Sequence, residues 1–187
     1  AKTSNRAENP LLQDVNKGWL QKVREDAPDH VMGSTTKEGA TTAGSVKVGN
    51  GGDYANLDAV VMDAVNELID AVYQDDDDLV VICGRELLSD KYFPLINKDQ
   101  DNSEKIAADL IISQKRMGGL QAVRAPYFPA NALLITRLDN LSIYWQEDTR
   151  RRSVIDNPKR DRIENFESVN EAYVVEDYRC AALVENI

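Results

Sequence analysis

The sequence is poor in the residues that usually carry chemistry. Histidine occurs once in 187 residues, as His30 in a Pro-Asp-His loop. Without a second histidine, the common zinc sites and His-based general-base pairs are excluded. His30 itself reads as a satisfied or solvated surface side chain. Cysteine occurs twice, as Cys83 and Cys180, both in strand-like runs. Buried free thiols are the expectation, since the spacing supports no disulfide framework. No apolar run approaches the roughly 20 residues that a membrane-spanning helix needs, so no membrane role is expected. The first residues, Ala1-Lys2-Thr3-Ser4, include neither an initiator methionine nor a signal-peptide pattern, and the chain reads as processed or as an excised piece.

Nucleophile and phosphate motifs are missing too. Ser34, Ser45 and Ser89 have no nucleophile-elbow context. Gly49-Asn50-Gly51-Gly52 lacks the Lys-Ser/Thr of a phosphate loop and reads as a flexible turn. Asp75 to Asp78 could attract a hard cation. Consecutive side chains diverge, however, and the alternation of a calcium loop is absent, so a solvated charge run is the reading. No catalytic, cofactor-binding or metal-binding residue is assigned, no cofactor is implied, and the chain does not read as an enzyme. Trp19 and Trp145 read as core or interface anchors.

What is present is an ordinary globular composition, 42% hydrophobic and 29% charged, with a net charge of −10. That sign disfavours a general nucleic-acid binder, which needs cationic surface to displace counterions. The charge is uneven. Within 150–162, Arg150, Arg151, Arg152, Lys159, Arg160 and Arg162 face only Asp156 and Asp161, leaving this stretch near +4 and the remainder near −14. Such a split suits pairing between copies of one protein as well as it suits a foreign ligand. These six cations are the candidate inter-subunit contact.

The chain organises around Leu79-Val80-Val81-Ile82-Cys83, too short for a helix and apolar at every position, as expected of a strand covered on both faces. Gly84 closes it, and a helix from Arg85 should end at Pro94. Upstream, Asn9-Pro10 should start a helix with Leu12, Val15, Trp19 and Val23 on one face, stopping before Pro28. Residues 33–52 are glycine-rich and read as a hairpin or flexible loop with a short strand at Ser45 to Val48. Asn56 opens the best helix, with a stripe of Leu57, Val61, Ala64, Val65, Leu68 and Val72 and with Asp58, Asp63, Glu67 and Asp70 facing water. A helical turn from Ser103-Glu104 through Leu110 should end at Gly118-Gly119. Strands are expected over Leu120 to Ala125, Ala132 to Leu138 and Leu141 to Trp145, with Pro126 to Pro129 a rigid corner and Asp139-Asn140 a turn. Val169 to Val184 should form one long strand. The fold class is α+β.

Several strings carry a resemblance. Among them are Asn9-Pro-Leu-Leu-Gln-Asp-Val15, Gly18-Trp-Leu-Gln-Lys22, Gly51-Gly-Asp-Tyr54 and Asp90-Lys-Tyr-Phe-Pro94. Others are Asn97-Lys-Asp-Gln-Asp-Asn-Ser103, Ile111-Ile-Ser-Gln-Lys-Arg116, Pro126-Tyr-Phe-Pro129, Leu141-Ser-Ile-Tyr144, Asn157-Pro-Lys159 and Tyr173-Val-Val-Glu-Asp-Tyr178. Together they resemble the C-terminal half of the major capsid proteins of P2-type tailed bacteriophages. The resemblance implies an HK97-like fold: residues 1–52 as approach to the P-domain with a flexible loop, 53–145 as the axial A-domain, and 146–187 as return strands of the P-domain. It implies a structural subunit of a P2-like phage or prophage, self-assembling into the icosahedral head that encloses double-stranded DNA. The expected partners are copies of itself in pentamers and hexamers, a scaffold protein and a portal, with weak contact to packaged DNA also compatible. The implied location is the virion, after assembly in the bacterial cytoplasm. A metal-dependent hydrolase using the aspartate run, or a nucleic-acid module using 150–162, are the competing classes.

Overall fold

The computed structural model describes residues 16–33, 45–96 and 114–187. At its centre is the apolar run around which the sequence organises. Strand β2 (Leu79–Cys83) is buried at all five positions. The pleat of the strand sends alternate residues to opposite faces. Leu79, Val81 and Cys83 enter one apolar cluster, while Val80 and Ile82 enter the other. A run without polar alternation is what two covered faces require.

β2 lies in a six-stranded mixed sheet. Its other strands are β1 (Val31–Met32), β3 (Arg116–Met117), β4 (Leu120–Arg124), β5 (Leu133–Arg137) and β10 (Ala182–Val184), in the order β1-β10-β5-β2-β4-β3. β2 runs parallel to β4 and antiparallel to β5, and β10 joins β5 to β1. One face is covered by α2 (Leu57–Leu68) and α3 (Arg85–Ile96), through Leu57, Val60, Val61, Ala64, Leu68, Leu87 and Leu88. The other is covered by α1 (Trp19–Asp26), through Leu20 and Val23. Both cysteines are buried and free.

α2 starts as expected: the Asn56 side chain accepts from the Ala59 N–H at 2.9 Å. Its buried stripe gains Val60 but ends at Leu68, and Val72 lies beyond the helix, 77% exposed. Two of its acids do not simply face water. Asp58 receives Lys91 Nζ and the Gly118 N–H, each at 2.6 Å, and Asp63 accepts the Tyr54 hydroxyl.

Other expectations give way. α1 begins at Trp19 after an extended Gly18, and Asn16 to Gly18 are not helical, so no single helix runs from Asn9-Pro10; that start lies outside the described residues. Ser45 to Val48 is no strand but an isolated bridge, Val48 to Tyr54. The rest of the glycine-rich loop, 34–44, and the turn from Ser103 to Leu110 also lie outside the described residues. Pro94 does not end α3, which continues to Ile96. A proline near a helix end removes one N–H without forcing the chain out of the helix at once. Gly118-Gly119 is the turn of the β3–β4 hairpin, with φ of +58° and +84°. At Gly118 a Cβ would stand 2.6 Å from Val61 Cγ1, so only glycine fits under α2. His30 is half-buried, and its Nδ1 is buried with no hydrogen-bond partner among the described residues.

The expected long strand from Val169 to Val184 is broken. β9 (Glu171–Val175) pairs with β6 (Leu141–Trp145), a turn at Tyr178–Cys180 intervenes, and β10 enters the main sheet. The break is held by a contact distant in sequence. Asn140 donates to the Asp177 carbonyl at 2.8 Å and accepts from the Asp177 N–H at 2.7 Å. β1 and β10, which lie outside 53–145, complete the six-stranded sheet.

Candidate functional site

The six candidate cations fall on a hairpin of β7 (Arg151–Asn157) and β8 (Arg162–Ser168), closed by a turn at Pro158–Arg160. Asp161 takes the left-handed conformation that lets the chain reverse, φ +48°. The register, from Arg151 opposite Ser168 to Asn157 opposite Arg162, divides the cations. Arg150, Arg151 and Arg152 lie at the base; Lys159, Arg160 and Arg162 lie at the tip. Seven residues of strand, at about 3.3 Å each, put these groups about 20 Å apart. The sequence cluster is therefore two clusters in space.

Strand β8 answers part of the charge. Arg150 pairs with Glu167 at 2.6 Å and Arg162 with Glu164 at 2.5 Å. Counting Glu164 and Glu167 with Asp156 and Asp161 against the six cations leaves 150–168 near +2. Glu167 stands opposite Arg152 in the register, a signal that would have been legible had 162–168 been read as a strand.

The hairpin is exposed on both faces. Ile155 and Phe166 share one face, Val154 and Ile163 the other, and these four side chains are 49–73% exposed. Two-stranded hairpins are marginal alone in water, so this one presents apolar surface that a neighbour could cover.

The hairpin continues the ribbon formed by β6 and β9. Trp145 pairs with Glu171, and Arg151 with Ser168. Five residues, 146–150, thus lie on the outgoing side against two, 169–170, on the return. This mismatch acts as an extended bulge, which bends a ribbon and re-aims the strands beyond it. Hydrogen bonds fix it: Gln146 N–H to the Asn170 carbonyl at 3.0 Å and Thr149 Oγ1 to the Gln146 carbonyl at 2.7 Å.

The inner end of the ribbon is clamped to the body. Trp19 Nε1 donates to the Val174 carbonyl at 3.0 Å, and its ring meets Tyr173 edge-on at 5.2 Å. Trp19 is thus the anchor expected, whereas Trp145, 70% exposed, is not a core residue. Asn140 also donates to Thr136 Oγ1 at 3.0 Å, and the Tyr73 hydroxyl donates to Asp177 at 2.9 Å. Hydrogen bonds from the Arg179 guanidinium and backbone hold the Asp177 carboxyl down at about 2. The sequence marks Asn140 only as part of a turn and Asp177 only within a strand-like string; their contact, spanning 37 residues, has no local signal.

The aspartate run lines an open cavity of ≈770 Å³. Asp76 is taken by Arg137 at 2.9 Å, and its other oxygen accepts the Asp78 N–H. Among the described residues no group of three or more His, Cys, Asp or Glu is arranged to hold a metal ion. Burial pushes the Cys83 thiol up to about 11, away from a reactive thiolate. Among the described residues no helix is long and apolar enough to cross a membrane.

Comparison with known proteins bears on this geometry. A family model described as phage major capsid protein, P2 family, matches residues 1–187. The capsid protein of Escherichia phage P2 is 63% identical over 188 residues, covering all of this chain and 53% of that protein. The major capsid protein of Serratia phage KSP20 is 40% identical over 190 residues, covering 54% of its length. A chain in the solved procapsid of satellite phage P4, a structure that includes the size determination protein, superposes with a TM-score of 0.84 at 59% identity. That match covers all of this chain and 55% of the other. The chain spans about half the length of the relatives it matches.

Proposed function

The chain belongs to the P2 family of phage major capsid proteins, and on that premise we propose that it is a non-enzymatic shell subunit, part of a head that encloses double-stranded DNA. The observation that carries the reading is the exposed, charge-divided hairpin on a body with two filled cores. A subunit that lives among copies of itself needs such a projecting surface, because closed rings and shells are built from repeated contacts between unlike patches. The fold we assign is HK97-like. The six-stranded sheet with α2 and α3 is the axial domain, the part of 53–145 that precedes β6 supplemented by β1 and β10, and the ribbon of β6 and β9 and the hairpin belong to the peripheral domain. The superposition on the P4 procapsid chain supports this assignment.

The partners are other copies of the protein, in pentamers and hexamers, with a scaffold and a portal during assembly in the bacterial cytoplasm. Direct use of the hairpin on DNA is disfavoured. Four acids stand among its six cations, and backbone binding draws its affinity from uncompensated positive charge.

A chimera tests the reading. This chain replaces the matching half of the Escherichia phage P2 capsid protein and is expressed with that phage's assembly partners. Sedimenting particles are expected. A chimera that folds and forms none would contradict the proposal. Replacing Arg150, Arg151 and Arg152 with glutamate should abolish particles while the chain stays folded. Normal particles from that variant would remove the base cluster from assembly.

A further inference from the structure

The bulge where ribbon meets hairpin shapes an open groove of ≈760 Å³. Trp145 forms one wall. Glu147, Asp148, Glu167 and Glu171 supply four carboxylates against one cation, Arg150, which Glu167 already holds. At the far end of the same hairpin, Lys159 and Arg160 are exposed in the turn, with no ion pair among the described residues. We infer that this groove receives the basic hairpin tip of a second copy of the chain, a deepening that rests on the reading of a self-assembling subunit.

The chemistry of the two ends matches. A guanidinium lies flat on an indole face while its edge binds carboxylates in pairs, and an exposed tryptophan among acids offers both contacts. The tip cannot serve its own groove, because seven extended residues hold the two about 20 Å apart. Two hairpins laid antiparallel would put each tip at the other's base. The contact is then self-complementary, as a two-fold pairing demands. The same arrangement covers one apolar face of each hairpin, Ile155 with Phe166 or Val154 with Ile163.

The test is sedimentation velocity on the whole chain with two charge-reversed forms. One carries Lys159→Glu and Arg160→Glu; the other carries Glu147→Lys and Asp148→Lys. The unaltered chain should associate at low salt and dissociate as salt rises, since exposed pairs are screened beyond about 8–10 Å at physiological ionic strength. Each reversed form alone should associate at least about tenfold more weakly, because its tip and groove now share a sign. An equimolar mixture should recover association, since each tip again meets an opposite groove. The milder changes Arg160→Gln and Asp148→Asn should each weaken association several-fold with unchanged circular dichroism. An unaltered chain that stays monomeric at all concentrations, reversed forms that associate normally, or a mixture that fails to recover would each overturn the inference. The chimera would still form particles in that case, so the two proposals fail separately.

Discussion

Asn140 and Thr136 are the buried polar side chains among the described residues, and they bond to each other. Asn140 also closes both backbone groups of Asp177. A buried polar group stripped of its partner loses its solvation without compensation. Asn140→Ala should therefore lower the unfolding free energy by about 1–3 kcal/mol in urea melts, and an unmoved midpoint would contradict this account of the joint. Asp177 makes a pH prediction. Its folded value is about 2, lowered chiefly by Arg179, against about 3.9 for an unperturbed aspartate. A depressed carboxylate contributes stability that is present above the unfolded value and is lost as pH falls through the folded one. Between about pH 4 and 2, Asp177→Asn should thus lose less stability than the parent. Identical acid transitions would show that the Arg179 contact does not act in the folded state. None of these roles was legible beforehand. Asparagine in a Leu-Asp-Asn-Leu string signals a turn, aspartate in Glu-Asp-Tyr lies within a strand-like string, and only the fold brings them together.

At the scale of elements, legibility followed burial. β2 could be read because both of its faces are covered, which leaves a five-residue apolar string too short for a helix and closed by Gly84. α2 could be read from its N-cap and one-sided stripe. β7 and β8 could not, because a hairpin exposed on both faces has no apolar alternation to mark it. The cations were visible as a run, but their division between base and tip depends on register, which composition does not encode. The long strand expected past Val169 failed because a uniform mix of Tyr, Val and Ala hides the turn at Tyr178–Cys180, where the chain leaves the ribbon for the sheet. The contrast between elements predicts their dynamics. Amides of 151–168 should exchange within seconds to minutes, while those of β2 and β5 exchange only on global opening. Replacing 151–168 with a short Gly-Ser linker should shift the melting temperature by no more than a few degrees. A hairpin as protected as β2, or a collapse on its removal, would show that it belongs to the core.

For the molecule as a whole, the sheet is closed by segments far apart in sequence. β10 supplies Ala182, Leu183 and Val184, all fully buried between β5 and β1. The region 53–145 carries the recognisable helix and central strands, yet lacks these. Expressed alone it should melt without a cooperative transition and bind hydrophobic dyes, whereas the whole chain should unfold in one step. A cooperative melt of 53–145 would mean that β1 and β10 are dispensable. In the proposed role, this stable body carries a hairpin whose partners are other copies of the protein. Electron cryomicroscopy of particles formed by the P2 chimera tests it most directly. The predicted map buries residues 151–168 against a neighbouring subunit, with the Lys159–Arg160 tip beside a neighbour's Trp145. A map in which the hairpin projects into solvent, touching no other subunit, would contradict it.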